Sequence, residues 1–234
     1  MARKASPAGI LCYITERSSL PVNPPRRDRE EESFKAQSSF APLLANIAAA
    51  AASGVDWIQI REKDLHPGDC ANLVCAALRA CSGTLSKVLV NDRLDVALAA
   101  RAAGVHLGER SLPVAEVRRL LSVCHQQPPA EFLAGVSCHS LASAQSAAAG
   151  GAGYIFFGPI FPTPSKAAFG PAQGLRRLAE VCRAVEVPVL AIGGITLENA
   201  RECRESGAAG IAAIRLFQNA AEISAVVAGL RSLG

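Results

Sequence analysis

The stretch KVLVNDRLDVALAARAAGVHL, residues 87–107, shows how this chain is built. Lys87 to Asn91 is a short run centred on three apolar residues, and it reads as a strand. Leu94 to Ala102 is dominated by Ala and Leu, which favour helix. Gly104 to Leu107 returns to a brief apolar run. Strand, helix and strand in that order form a βαβ unit, whose crossover forces the two strands to pair in parallel. The same unit recurs on both sides. Strands are expected at Ile10–Ile14, Trp57–Arg61, Lys87–Asn91, Gly104–Leu107, Leu133–Ser137, Tyr154–Gly158, Val189–Ile192 and Gly210–Ile214. Helices are expected around Leu43–Ala52, Asp69–Ala80, Leu94–Ala102, Val114–Val123, Leu141–Ala149, Leu175–Val185, Leu197–Ser206 and Ala221–Leu230. Glycines at 54, 104, 151 or 153, and 207 or 210 fall where helices should end in a left-handed cap, and Thr196 is placed to cap the seventh helix, with Asn199 one turn on.

Eight strand–helix units ending on a helix favour a closed barrel over an open doubly wound sheet. The open sheet also lacks its phosphate-binding signature, since no Gly-x-Gly-x-x-Gly follows the first strand. The expected architecture is therefore a single (β/α)8 TIM barrel spanning residues 1–234. The Pro-, Arg- and Glu-rich segment 18–38 is an unusually long connection, expected to act as a mobile flap over the barrel mouth.

Composition narrows the function classes. The chain has 234 residues, half of them hydrophobic, and a formal charge of only +4. Lys and Arg are interspersed with Asp and Glu rather than gathered on one stripe, which argues against a nucleic-acid partner. The Ala-rich run at 48–52 is too short to span a bilayer. Met1-Ala2-Arg3-Lys4 begins like a signal peptide, but the apolar run that follows is short and has no small-residue cleavage site. The eight cysteines include no Cys-x-x-Cys pair and sit mostly in apolar stretches. A cytoplasmic protein with reduced thiols is expected, with no membrane partner; a homo-oligomer is left open.

In such a barrel the residues just past each strand converge on one mouth, where ligands bind. On the second strand Gln59, Arg61 and Lys63 alternate onto one face. The third ends in Asn91-Asp92, and the fifth in Ser137-Cys138-His139. The sixth leads to Thr163, Ser165 and Lys166, the seventh to Gly193-Gly194, and the eighth to Arg215. Cations, hydroxyls, amides and glycines gathered at six of eight strand ends suit a phosphorylated ligand. Asp92 among cations suggests a divalent metal bridging phosphate oxygens, although locally it reads equally well as a helix N-cap. His139 could equally cap or pack, and the glycine pair could be a tight turn.

These residues also carry a resemblance. Gln59-x-Arg61-Glu62-Lys63, Asn91-Asp92, Gly104-x-His106-Leu107-Gly108, Gly135-Val136-Ser137-x-His139, Gly158-Pro159-Ile160-Phe161-Pro162-Thr163-x-Ser165-Lys166 and Ile192-Gly193-Gly194-Ile195 occur in the order seen in thiamine phosphate synthases. They are similar, too, to the related thiazole tautomerases. The resemblance covers roughly residues 10–230. It implies a condensation of hydroxymethylpyrimidine diphosphate with thiazole phosphate, giving thiamine phosphate and pyrophosphate. By that resemblance Arg61, Lys63, Asn91, Ser137 and Lys166 hold pyrophosphate, Asp92 binds Mg2+, and Gln59 touches the pyrimidine. Thr163, Ser165, Gly193 and Gly194 hold the thiazole phosphate. Lys63, Ser137, His139 and Lys166 are the residues expected to act on the chemistry, and Arg215 is expected to join the substrate-binding set.

Two positions depart from the pattern. The synthases carry Gly-Gln-Glu-Asp after the fourth strand, where this chain has Gly108-Glu109-Arg110-Ser111. Ser111 thus stands in place of a second metal carboxylate, which should weaken Mg2+ binding. After the eighth strand Val-Ser is replaced by Ile214-Arg215. The synthase is the expected activity. The alternatives are a metal-independent thiazole tautomerase using the histidine at position 139, and a non-catalytic regulatory binder of thiamine-pathway phosphates.

Overall fold

A computed structural model describes residues 9–20, 40–123, 131–163 and 171–233. The elements run β1 (Ile10–Ile14), a single 3-10 turn (Arg17–Ser19), α1 (Ala41–Ala52), β2 (Trp57–Ile60), α2 (Pro67–Ala80), β3 (Lys87–Asn91), α3 (Leu94–Ala99) and β4 (Gly104–Leu107). They continue with α4 (Val114–Val123), β5 (Leu133–Cys138), α5 (Leu141–Ala149), β6 (Tyr154–Phe157), α6 (Gly174–Ala184), β7 (Val189–Ile192), α7 (Ala200–Glu205), β8 (Gly210–Ala213), α8 (Arg215–Gln218) and α9 (Ile223–Arg231). The eight strands form one closed barrel in sequence order. Every pairing is parallel, and β8 closes on β1 with Ile10 opposite Gly210. The single (β/α)8 barrel expected from the sequence is what the chain adopts.

Strand alternation divides the apolar residues into two cores. Leu11, Tyr13, Ile58, Ile60, Val88, Val90, Ile155 and Phe157 face outward into the layer beneath the helices. Cys12, Ile14, Trp57, Leu89, Tyr154, Phe156, Leu190 and Ala212 fill the barrel itself. Because both faces are covered, the strands read in sequence as nearly continuous apolar runs.

Several boundaries differ from the sequence reading. The helix expected from Leu197 begins at Ala200, because Asn199 Oδ1 accepts a hydrogen bond from the Thr196 amide and holds a separate turn; Asn199, not Thr196, is the N-cap. The left-handed residue between α3 and β4 is Arg101, at φ +56°, while Gly104 lies within β4. After β8 the chain makes a short helix, α8, that its local pattern does not announce. The expected flap at 18–38 falls largely on residues 21–38, outside the described residues. No helix among the described residues is long and apolar enough to cross a membrane, and the seven described cysteines are all free.

The barrel interior is asymmetric. Trp57 and Tyr154 lie with ring centroids 4.6 Å apart, Tyr154 and Phe156 5.2 Å apart, and His106 stacks on Phe156 at 4.2 Å. This aromatic mass needs empty space opposite. Gly135 supplies it: a Cβ there would come within 2.0 Å of the Tyr154 ring. His106 is buried inside this group, its Nδ1 3.1 Å from the Tyr154 hydroxyl and its Nε2 2.9 Å from Ser137 Oγ.

Burial, reinforced by the charge of Arg61, brings the His106 imidazole down to about 3 from its ordinary 6.5. The unfolded chain therefore takes up a proton that the folded barrel refuses. The resulting stabilisation is complete above the ordinary value and is lost as pH falls from there toward about 3. Moving from about pH 7.5 to about pH 5 should cost about 2 kcal/mol through this one residue. In urea titrations His106→Gln should be less stable than the parent at neutral pH, yet lose clearly less stability on acidification. Equal losses in the two proteins would assign the acid sensitivity elsewhere.

Candidate active site

The mouth is built as two arcs. Along the first, β2 to β5, polar side chains form a linked row. Gln59 Nε2 donates to Asn91 Oδ1 at 3.0 Å, joining β2 to β3, and the His106–Ser137 hydrogen bond joins β4 to β5. Gln59 is buried, and its Oε1 has no partner among the described residues. An unsatisfied buried acceptor costs about 1–3 kcal/mol, so this oxygen is suited to a ligand N–H. Arg61 continues the row past the end of β2. Its amide donates to Thr15 Oγ1 at 2.9 Å, and its Nη1 lies 3.4 Å from Glu16 Oε1. A half-exposed ion pair of this kind is worth at most about 1 kcal/mol. Lys63 stands exposed three residues beyond β2.

Asp92 does not cap α3. The N-cap is Arg93, which instead pairs its guanidinium with Asp95. Asp92 is exposed, with φ at +63°, and its amide donates to the His106 carbonyl at 2.8 Å. Asp tolerates this left-handed conformation better than most residues. No hydrogen bond of its carboxylate appears among the described residues. Ser111, on the next loop, turns its hydroxyl inward to accept from the Gly108 amide at 2.7 Å. His139 is neither cap nor core. Ser140 caps α5 through a reciprocal bond with Ser143, while His139 Nδ1 meets the Gly158 carbonyl at the end of β6. With Nδ1 donating there, Nε2 is left as the acceptor.

The second arc is β6 to β8. Beyond β6 the chain crosses the end of β7: Ile160 N donates to Ile192 O at 2.9 Å and Phe161 N to Gly193 O at 3.0 Å. Gly193 and Gly194 have φ of +93° and +69°, and a Cβ on Gly194 would fall 2.7 Å from Phe161 and Pro162 backbone oxygens. Only glycine allows both the turn and the close approach. The carbonyl of Gly194 accepts from Asn199 Nδ2 at 3.0 Å, which fixes the turn to α7. Arg215, just past β8, donates from Nη2 to Thr163 Oγ1 at 2.6 Å. Thr163, Gly193, Gly194 and Arg215 are thus brought together. Ser165 and Lys166 lie outside the described residues.

Sequence reasoning gave no role to four residues that hold this mouth. Besides His106, buried Glu62 accepts from Thr15 Oγ1 at 2.7 Å and from the Arg17 amide at 2.9 Å. Burial raises its carboxyl above the ordinary carboxylate range, against the lowering effect of these bonds. Gln218 accepts from the Tyr13 hydroxyl at 2.9 Å and from the Glu16 amide at 3.0 Å, tying the β1 end to α8. Glu16 in turn holds Arg61. The alternation at 59–63 pointed to Glu62 as the residue facing away from the mouth; the partners of Gln218 lie some 200 positions distant, with separations of 202 and 205.

A family model described as thiamine monophosphate synthase matches residues 34–217. The chain belongs to the thiamine monophosphate synthase family. It is 42% identical to a thiamine-phosphate synthase of Methanoculleus marisnigri over 188 residues, 80% of this chain and 85% of that one. It is 42% identical to a thiamine-phosphate synthase of Roseiflexus castenholzii over 172 residues, 74% of this chain and 72% of that one. Among solved structures it is similar to a thiamine phosphate pyrophosphorylase from Pyrococcus furiosus, with a TM-score of 0.77 and 27% identity, covering 97% of this chain and 95% of the other.

Membership of this family implies a magnesium ion, and the donors present fit one held loosely. The described residues contain no group of three or more His, Cys, Asp and Glu able to hold a metal alone. Mg2+ needs no such cage when a substrate supplies phosphate oxygens, and one uncommitted carboxylate at Asp92 meets the remaining requirement. Because Asp92 caps nothing, Asp92→Asn should leave urea stability within about 0.5 kcal/mol of the parent, well short of the ~1 kcal/mol of a lost cap. Turnover should fall by orders of magnitude. A variant that loses stability while keeping its activity would return Asp92 to a purely structural role.

Proposed function

We propose that this chain is a thiamine-phosphate synthase, joining hydroxymethylpyrimidine diphosphate to thiazole phosphate and releasing pyrophosphate. The observation that carries the reading is the two-arc mouth: Gln59, Arg61, Asn91 and Ser137 on one side, Thr163, Gly193, Gly194 and Arg215 on the other. Two phosphorylated substrates need two such places, with the reacting atoms between them. The C–O bond from the pyrimidine methylene to the diphosphate breaks, its electron pair leaving with pyrophosphate. The lone pair of the thiazole nitrogen then forms the new C–N bond at the same carbon.

In this reading the unpartnered Oε1 of Gln59 takes the exocyclic amine of the pyrimidine. Arg61, Lys63, Asn91, Ser137 and Lys166 hold the diphosphate, with Arg61 leaving Glu16 to do so. Their role is to stabilise negative charge as it builds on the leaving group. Mg2+, when bound at Asp92, adds a positive charge to the same oxygens. Arg215 joins Thr163, Ser165 and the Gly193–Gly194 amides on the thiazole phosphate, a stronger donor than the serine usual there. The departures at Ser111 and Arg215 favour a second reading, a metal-independent tautomerase that moves a proton through His139 Nε2.

Incubation of the purified protein with both phosphorylated substrates, with and without Mg2+, separates the readings. Thiamine phosphate formed in a Mg2+-dependent way is the expected result. Conversion of the thiazole phosphate carboxylate tautomer without metal, and no condensation, would replace the synthase by the tautomerase; binding with no turnover would leave a regulatory binder. Two variants sharpen the test. Ser111→Asp, alone and with Arg110→Glu, should lower the Mg2+ concentration for half-maximal rate by about tenfold, since a second hard anion favours the dication. Arg215→Ser should raise KM for thiazole phosphate about tenfold while sparing that for the diphosphate, as expected for one charge-assisted hydrogen bond.

A further inference from the structure

The buried histidine beneath the mouth has a direction. Tyr154 is fully buried, and its hydroxyl has one hydrogen-bond partner among the described residues, His106 Nδ1 at 3.1 Å. A buried phenol must place its proton somewhere, so it donates to Nδ1. The neutral imidazole then carries its own proton on Nε2. Nε2 lies 2.9 Å from Ser137 Oγ, which is its other polar neighbour and which forms no further side-chain hydrogen bond among the described residues. The Ser137 oxygen therefore accepts from below, and its own O–H points to the mouth. The opposite tautomer would orphan the Tyr154 proton, turn the Ser137 proton down onto Nε2, and show only lone pairs to an approaching anion.

We infer that Tyr154 and His106 are positioning residues that fix Ser137 as a hydrogen-bond donor toward the diphosphate group of the substrate. The inference rests on the synthase reading of the mouth, and Ser137 is the only one of the three that would touch the ligand. His106 stacks on Phe156 at 4.2 Å and Tyr154 packs tilted against Trp57 at 4.6 Å, which holds both rings in place for these hydrogen bonds.

Nitrogen-15 spectra of the histidine-labelled protein show which ring nitrogen bears the proton, and the His106 signals are assigned by their loss in His106→Gln. The expected result is the Nε2–H form, with Tyr154→Phe shifting the signals toward a mixture. Inorganic pyrophosphate binding, followed by calorimetry, gives the second readout. Tyr154→Phe and Ser137→Ala should each weaken it about tenfold. The double variant should be no weaker than Ser137→Ala alone, because the relay acts only through that hydroxyl. His106→Gln, which keeps an N–H near the Nε2 position, should bind better than His106→Leu. An Nδ1–H tautomer in the parent, or additive losses in the double variant, would overturn the relay. If the parent binds no pyrophosphate at all, the diphosphate reading of the mouth falls, and the spectrum still decides the tautomer.

Discussion

The ring of Tyr154 occupies the space that any side chain at residue 135 would need, and much of the molecule follows from that contact. A closed eight-stranded parallel barrel encloses a volume that its inward side chains must fill without voids. Here the filling is uneven, with large rings from β2 and β6 set against Gly135 and Ala212. With Tyr154 seated, its hydroxyl meets His106, and His106 meets Ser137. The polar floor of the mouth is thus laid on an aromatic layer that has no room to move. Enlarging residue 135 would be felt at Ser137, two residues along the same strand.

The alternation of short apolar strands with Ala- and Leu-rich helices was enough to reveal eight units and their closure. What the local pattern could not reveal was where side chains override it. Asn199 holds its own turn and delays α7 by three residues past Leu197, and Arg101 accepts a left-handed conformation at a place where glycine is the usual choice. Period-two reading placed Gln59 on the mouth side, and Asn91 and Ser137 were legible there as strand ends, which converge on one mouth in this architecture. It could not show that Asp92 is free of any capping role, because an Asp two residues before a helix has the same appearance in either case. Tyr154 and His106 look like ordinary core residues in a strand. Their importance comes from three strands meeting, and no single segment contains it.

The two departures from the family pattern lie on opposite arcs but act in one direction. Serine at 111 takes the place of a carboxylate in the family pattern, and arginine at 215 adds a positive charge beside Thr163. Both make the mouth more cationic than the family pattern prescribes. In the proposed reaction, charge that a tightly held dication would neutralise is met in larger part by guanidinium groups. In the same proposal Arg61 is a further guanidinium, paired with Glu16 in this structure.

The seam where the first strand meets the last is sewn by more than the β1–β8 ladder. Gln218 grips Tyr13 and Glu16, and Arg231 donates to the Gly9 and Gly54 carbonyls and pairs with Asp56 at 2.8 Å. These contacts join residues separated by as many as 222 positions. Closing so long a loop is entropically unfavourable until the rest of the barrel is in place, which puts the seam late in folding. Glu16, whose amide Gln218 holds, and the Arg61 paired with it take their final places only when that seam closes.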